Sequence, residues 1–377
     1  MELTEYRFDE VTINFDKKRV PISGAQREKR KGKYRYYGAQ GIIDYIDDFI
    51  FDGTYLLIAE DGENLKSKKQ NIAQVVEGQF WVNNHAHIVQ GNELCDTRYL
   101  CYLLNSMDLS GYVTGSAQPK LSQANLNAVT LALPHIVEQK KIVDYLHMFD
   151  KKISINQQLN DNLYEMASTY YTFLFKVFEN ETTTIGSYAD RIYSGGTPTT
   201  SNVAYWNGSF NWFSSGETRN RFVISTEKSI TQAGIDNSST KLAEKYDIVM
   251  ASAGQGFTRG QTSMLLLDTF INQSVIVIHA ERNVLPYLFW NLVNRYEELR
   301  SISDSSSIRG SLTTKMISAF EIPLAAKGSL QAFADFAWMI IPQIENNLLE
   351  NKRLAAMRDF LLPKLMSGEI DVSGIQL

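Results

Sequence analysis

The sequence predicts an α+β protein in which two pseudo-symmetric mixed α/β domains are separated by two long antiparallel coiled-coil helices. Three observations carry this expectation. The chain has 377 residues, which at roughly 100 to 200 residues per domain corresponds to two domains. The order of features in residues 1–178 recurs in residues 179–366, with a period of 191 in the best-matching part. Each half closes with a long segment whose apolar residues stand alternately four and three apart, the spacing of a coiled-coil seam.

The expected boundaries are residues 1–134 for the first mixed domain, 135–178 for the first long helix, 179–323 for the second domain, and 324–377 for the second long helix with the C-terminal tail. Each half opens with a variable segment of short apolar runs, glycines and aromatics. An Asn-containing turn follows, Val82-Asn83-Asn84 and Ile271-Asn272-Gln273, and then a strand-like run and a short helical stretch, Arg98 to Asn105 and Pro286 to Arg300. A Ser/Gly-rich polar loop, a strand ending in proline (Val129 to Pro134 and Phe320 to Pro323) and the long helix complete each half. The order of these features is the signal, because residue identity across the variable segments is low.

In the first long helix the seam from Ile142 runs through Leu146, Phe149, Ile153, Asn156, Asn160, Leu163, Ala167, Tyr170 and Leu174. Adding 191 to each number gives Phe333, Ala337, Ile340, Ile344, Asn347, Asn351, Leu354, Arg358, Leu361 and Leu365. Paired asparagines recur at equivalent sites. A buried Asn in a seam lowers stability and fixes register, so Asn156, Asn160, Asn347 and Asn351 are candidate register residues; the alternative places them at the solvent edge. Pro342 falls inside the second pattern and predicts a kink, or a break before Gln343. A helix of roughly 40 residues spans about 60 Å, so two such helices side by side have the geometry of a ruler between the domains.

Composition narrows the function. With 44% hydrophobic and 21% charged residues the chain has enough apolar mass for real cores. Nowhere do 18 apolar residues follow one another, and Met1-Glu2-Leu3-Thr4-Glu5 carries no basic flank, so no membrane association and a cytoplasmic location are expected. Cys95 and Cys101 cannot make a disulfide framework and are expected as thiols. A net charge of -5 argues against coating nucleic acid non-specifically, since that mode depends on neutralising phosphates. A DNA reader of this composition must concentrate its positive charge. Between Asp16 and Arg35 nine Lys or Arg residues stand against two acids, Asp16 and Glu28, although such a run is usually a solvated loop.

Several segments together resemble the specificity subunits of type I restriction-modification systems. In the first half these are Tyr36-Tyr37-Gly38-Ala39-Gln40-Gly41-Ile42-Ile43-Asp44-Tyr45 and Tyr55-Leu56-Leu57-Ile58-Ala59-Glu60-Asp61-Gly62. In the second they are Ser194-Gly195-Gly196-Thr197-Pro198, Tyr205-Trp206-Asn207-Gly208 and Asn211-Trp212. Leu133-Pro134 leading into Glu138-Gln139-Lys140-Lys141-Ile142, and Leu362-Pro363-Lys364-Leu365-Met366-Ser367-Gly368-Glu369-Ile370, complete the set, which covers essentially the whole chain. One departure is that Ala325, Ala326, Lys327 and Gly328 replace the usual Pro and Gln before the second long helix, with Gln331 the nearest Gln. The resemblance implies two target-recognition domains that read the halves of an asymmetric bipartite site in double-stranded DNA. It also implies helical regions that bind two methyltransferase subunits, which use S-adenosylmethionine, and a restriction/translocase subunit that uses ATP and magnesium. No cofactor is expected on this chain.

Catalytic signatures point the same way. The amino-methyltransferase motif known from such enzymes needs two adjacent prolines, and no two prolines here are adjacent. Gly254-Gln255-Gly256-Phe257-Thr258-Arg259-Gly260 matches neither a dinucleotide fingerprint nor a phosphate-binding loop and is expected as a loop near DNA. His85-Ala86-His87 with Cys95 and Cys101 lacks the paired spacing of a zinc site, so these are expected in core or surface roles. Ser305-Ser306-Ser307 has no ordered base and orienting group. A non-catalytic subunit is expected; a coiled-coil interaction scaffold with protein-binding globular ends is the alternative.

Reading bases needs Arg or Lys for guanine and Asn or Gln for adenine, on loops where backbone can approach phosphates. In the first half the candidates are Tyr36, Gln40, Asn84, Gln118 and Lys120, with Lys29, Arg30, Lys31, Lys33 and Arg35 for phosphates. In the second they are Thr197, Ser215, Arg219, Gln255, Arg259, Ser307 and Arg309. Tyr205, Trp206 and Trp212 are expected in core packing.

Overall fold

The computed structural model describes residues 1–67, 70–115, 118–175, 181–254, 258–305 and 310–372, and it divides into two compact units, Met1–Lys152 with Arg353–Leu377 and Ile153–Lys352. It is mixed α/β in both units. The first unit contains β1 (Thr4–Arg7), β2 (Thr12–Asn14), β3 (Lys31–Gly38), β4 (Gly41–Ile46), β5 (Phe51–Ala59), β6 (Ala73–Val82), β7 (Ala86–Gly91) and β8 (Thr130–Leu133). Six strands make one sheet in the order β2-β7-β5-β6-β3-β4, and β1 pairs with β8 apart from it. Within the sheet only β3 and β6 run parallel.

Strand β5 is central because it is apolar on both faces. Strand alternation turns Leu56 and Ile58 toward Tyr99, Leu100 and Leu103 of the helix Thr97–Ser106, and turns Leu57 into a second layer with Tyr37, Phe51 and Phe80. Phe51 and Phe80 stack at 5.3 Å between centroids. Cys95 and Cys101 are free thiols, and burial pushes the pKa of each up to about 12.

The second unit contains β9 (Thr182–Thr184), β10 (Ala189–Ser194), β11 (Trp206–Phe213), β12 (Phe222–Val223), β13 (Lys228–Ile230), β14 (Lys241–Ala243), β15 (Ile248–Ala251), β16 (Thr262–Leu265), β17 (Thr269–Ile271), β18 (Val275–Ala280) and β19 (Glu321–Pro323). They form sheets in the orders β10-β18-β15-β16-β12 and β13-β11-β17-β14, with β9 and β19 as a separate pair. The parallel pair β11 and β17 repeats β3 and β6. Where the first unit has the single long β6, the second has β16 and β17 interrupted at Leu266–Asp268, and one sheet becomes two.

The repetition extends to individual hydrogen bonds. Phe8 N donates to Val129 O at 2.9 Å and Ile185 N to Phe320 O at 3.0 Å. Leu121 N donates to Glu60 O at 2.8 Å, as Leu312 N does to Ser252 O at 2.8 Å. Ser122 then caps Asn125 N at 3.2 Å and Thr313 caps Met316 N at 3.2 Å, each starting a five-residue helix. Adding 191 to Leu121, Ser122 and Val129 gives Leu312, Thr313 and Phe320.

The long helices are Ile136–Phe175 and Lys327–Met366, 40 residues each. Ascending numbers on one meet descending numbers on the other, so they are antiparallel. In the second unit Asn156 donates to Asn351 at 2.9 Å and Asn347 to Asn160 at 2.8 Å; in the first, Arg358 donates to Asp150 at 2.6 Å. Asn156 is 1% exposed, a seam position rather than a solvent edge. Of the kink or break expected at Pro342, the break before Gln343 does not occur in the helix Lys327–Met366, which continues through it. Pro342 lacks the N–H that would bond Trp338, but Ile340, Ile341 and Ile344 are buried around it and hold the turn. Gln139 clasps the start of the first helix, donating to Leu94 O at 2.8 Å and Pro134 O at 2.9 Å while accepting from Asp96 N at 2.9 Å. In the second half the equivalent position is the buried Leu330, and the helix starts without that clasp. No helix among the described residues is long and apolar enough to cross a membrane.

Candidate nucleic-acid interface

In the first unit, several loops converge at one end of the six-stranded sheet. Strands β3 and β4 pair Gly38 with Gly41, so Ala39-Gln40 is a two-residue hairpin turn that needs Gly41 at φ 129°. Gln40 Nε2 donates to Asn64 Oδ1 at 3.2 Å, just beyond β5. Between β6 and β7, Asn83 N donates to Tyr37 O at 3.0 Å while Asn83 Oδ1 accepts from His85 N at 2.8 Å, an Asx turn that leaves Asn84 exposed. The loop carrying Gln118 and Lys120 closes on the same end: Gly62 N donates to Pro119 O at 3.3 Å. The structure therefore gathers Gln40, Asn84, Gln118 and Lys120, all exposed.

Beneath them lies a charge network. Arg19 Nη1 donates to Glu60 Oε2 at 2.9 Å and to Ala86 O at 2.9 Å, and Lys120 Nζ lies 3.2 Å from Glu60 Oε1. His87, 1% exposed, holds Asp16 Oδ2 at 2.6 Å through Nδ1 and Leu121 O at 2.9 Å through Nε2. Both ring nitrogens face acceptors, which a neutral imidazole cannot satisfy as a donor on both sides. Burial opposes its charge, but the bonds to Asp16 and Leu121 and the carboxylates of Asp16 and Glu60 hold its pKa above the ordinary value. Burial likewise opposes the charges of Asp16 and Glu60, and His87 and Arg19 outweigh it, lowering both. His85 has a different partner, Asp61 at 2.7 Å.

The second unit repeats the turn. Asn272 N donates to Phe213 O at 3.1 Å and Asn272 Oδ1 accepts from Ser274 N at 3.0 Å. Gly195 and Gly196 are required beside it, because a Cβ would stand 2.2 Å from Ile271 O at the first and 2.0 Å from Ser239 Oγ at the second. That close approach brings Thr197 Oγ1 onto Gln273 Oε1. Ser215 follows the end of β11, and Arg219 donates to Gly216 O at 2.9 Å and pairs with Glu227. Thr197 thus meets the repeated turn and Ser215 lies just past the strand end that accepts from Asn272, whereas Arg219 lines a cavity with Asn160, Tyr164 and Ile344.

Other candidates are placed differently. Tyr36 is fully buried, and its hydroxyl accepts from Ile22 N at 2.9 Å, so it is a core residue and no base contact. Lys29, Arg30, Lys31 and Lys33 lie before or at the start of β3, the end of that strand opposite the Ala39-Gln40 turn. Arg30 pairs with Asp47 at 2.8 Å and Lys31 with Asp44 at 3.0 Å and Glu28 at 2.9 Å, while Lys29 and Lys33 are exposed. Arg35 donates to Glu77 O, and Arg259 is turned onto Asp304 and Gly310 O. Gln255, Ser307 and Arg309 lie outside the described residues. Trp212 is 4% exposed and meets Trp206 edge-on at 5.0 Å, while Tyr205 is half-buried. The candidate set omitted Gln273, Arg19, Glu60, Asp61 and His85. Gln273 was findable as the repeat partner of Asn84; the others needed the fold.

The family profile described as "Type I restriction modification DNA specificity domain" matches residues 2–165 and 179–348. A putative type I restriction enzyme specificity subunit of Haemophilus influenzae, S.HindORF215P, is 34% identical over 138 residues, 37% of this chain and 35% of the relative. The EcoprrI specificity subunit of Escherichia coli is 30% identical over 125 residues, 33% of this chain and 30% of the relative. The chain thus matches about a third of the length of these two relatives. The HindI specificity subunit of Haemophilus influenzae is 21% identical over 406 residues, covering 85% of this chain and 84% of the relative. The fold is that of the crystallised type I S subunit from M. genitalium, at a TM-score of 0.63 with 15% identity, over 97% of this chain and 96% of that one. The family profile covers both halves and most of the chain, and the protein belongs to the type I restriction-modification DNA specificity family.

Proposed function

We propose that the chain is the non-catalytic sequence-reading subunit of a type I restriction-modification complex, with one domain on each half of an asymmetric bipartite site. The observation that carries this reading is the repeated Asx turn, which displays Asn84 in one half and Gln273 in the other on equivalent backbone. An exposed carboxamide, with Lys120 on a neighbouring loop in the first half, offers the paired donors and acceptors that discriminate bases in the major groove. The antiparallel helices set the spacing of the half-sites and present surface to two methyltransferase subunits and a restriction/translocase subunit, in the cytoplasm. S-adenosylmethionine would be held by the methyltransferases, and ATP with magnesium by the restriction/translocase subunit. This chain's own residues bind and orient DNA.

The test is reconstitution. The purified chain alone transfers no labelled methyl group to DNA, and adding the methyltransferase partner yields methylation at a two-part sequence. Transfer by the isolated chain, or modification whose sequence is unaffected by replacing Asn84 and Gln273, contradicts the proposal.

A further inference from the structure

The two halves hold equivalent loops by different chemistry. In the first, Glu60 stands where β5 ends, its N–H donating to His85 O at 3.0 Å and its carbonyl accepting from Leu121 N at 2.8 Å. In the second, Ser252 makes the same backbone bonds, to Ser274 O at 2.9 Å and from Leu312 N at 2.8 Å. The residue preceding Leu121 is Lys120, and the one preceding Leu312 is Ser311. A carboxylate and an ammonium in one half therefore correspond to two hydroxyls in the other.

The charged version links the Asn84 turn to the Lys120 loop at its end of the sheet. Arg19 reaches the turn through Ala86 O at 2.9 Å and Asn84 O at 3.4 Å, and reaches Glu60 at 2.9 Å. Glu60 in turn holds Lys120. Asp16 supports Arg19 at 3.4 Å and accepts from Ile88 N at 2.8 Å, and His87 ties Asp16 to Leu121 O. Arg19, Glu60 and Asp16 have side chains 16%, 15% and 5% exposed, so none is free to meet DNA as Asn84 and Lys120 are. A planar guanidinium bonded to the Glu60 carboxylate and to the carbonyls of Asp16, Asn84 and Ala86 fixes direction as well as charge.

We propose that Arg19 and Glu60 are positioning residues that fix the Asn84 turn and the Lys120 loop for DNA, so that neutralising Glu60 weakens one half-site and spares the other. The inference rests on the DNA-reading function proposed above. The second domain, whose equivalent positions are serines, serves as the folding control within the same molecule.

The experiment selects duplexes from a fully randomised pool with the full chain and its methyltransferase partner, comparing wild type with Glu60→Gln, Arg19→Lys and Lys120→Met. Glu60→Gln is expected to lower base preference about tenfold at one half-site, the size of a lost charged hydrogen bond, with the other half-site unchanged. Arg19→Lys keeps the charge, loses the fork, and weakens the same half. Lys120→Met, at an exposed position, also weakens that half whatever Glu60→Gln does to folding. Full preference at both half-sites in Glu60→Gln, or an equal loss at both, overturns the inference. A wild-type complex that enriches no two-part sequence refutes the DNA-reading function instead.

Discussion

Asn347 donates its side-chain amide to Asn160 Oδ1 at 2.8 Å, one helical turn from the 2.9 Å bond between Asn156 and Asn351. The two pairs differ in satisfaction. Asn156 also donates to Glu350 at 2.7 Å, whereas Asn160 Nδ2 is buried without a partner among the described residues. Asn156→Ala removes the amide that donates to both Asn351 and Glu350 and should lower stability by about 1–3 kcal/mol. Replacing Asn160 and Asn347 together by Leu removes an incompletely satisfied pair and should be neutral or stabilising by about 1 kcal/mol, with less defined register. Denaturant unfolding of the two variants checks the order, and a double-Leu variant less stable than Asn156→Ala contradicts it.

The basic run separates into two pairs. Lys29 and Lys33 are exposed, while Arg30 and Lys31 are neutralised by Asp47, Asp44 and Glu28. Replacing Lys29 and Lys33 by Ala should make the slope of log affinity against log salt shallower by up to about 2, equally for specific and random duplexes. Arg30→Ala with Lys31→Ala should change it by less. Binding titrations across a salt series decide, and a loss confined to the specific duplex contradicts a phosphate role.

Stability of the first unit should depend on pH through His87. Its pKa is raised above 6.5, so its contribution is complete below 6.5 and is lost as pH rises through the folded value. Asp16 and Glu60 are lowered below 3.8 and 4.5, so theirs are complete above those values and are lost as pH falls through the folded ones. All three act between 4.5 and 6.5. Thermal melts should show stability declining above pH 6.5, and His87→Gln should flatten that alkaline limb. A limb equally steep in the variant contradicts the assignment.

Sequence periodicity made the helices, the repeat and the asparagine pairs legible, because a seam is written in spacings that survive divergence. Gln40, Asn84 and Lys120 were legible as polar residues on loops. Tyr36 was misplaced since an aromatic next to a basic run can face either side of a strand, and only the register of β3 against β6 buries it. The ion pairs of the basic run were not legible either: the partners Asp44 and Asp47 come from the neighbouring strand β4 and the residue after it. The Arg19–Glu60 link spans 41 residues, and nothing local announces it.

The measurement closest to the central claim is methylation-site mapping of a complex in which seven residues are added to each long helix, after Lys152 and after Lys352. These points avoid Tyr171 and Phe175, which are buried in the second unit's core, and a full heptad preserves the seam. The insertions lengthen the helices by about 10 Å, close to three base pairs of duplex. Both half-site sequences should stay the same while the spacer grows by about three base pairs. An active complex with an unchanged spacer, or with altered half-site bases, would contradict a protein that reads two sites with two domains at a distance fixed by its helices.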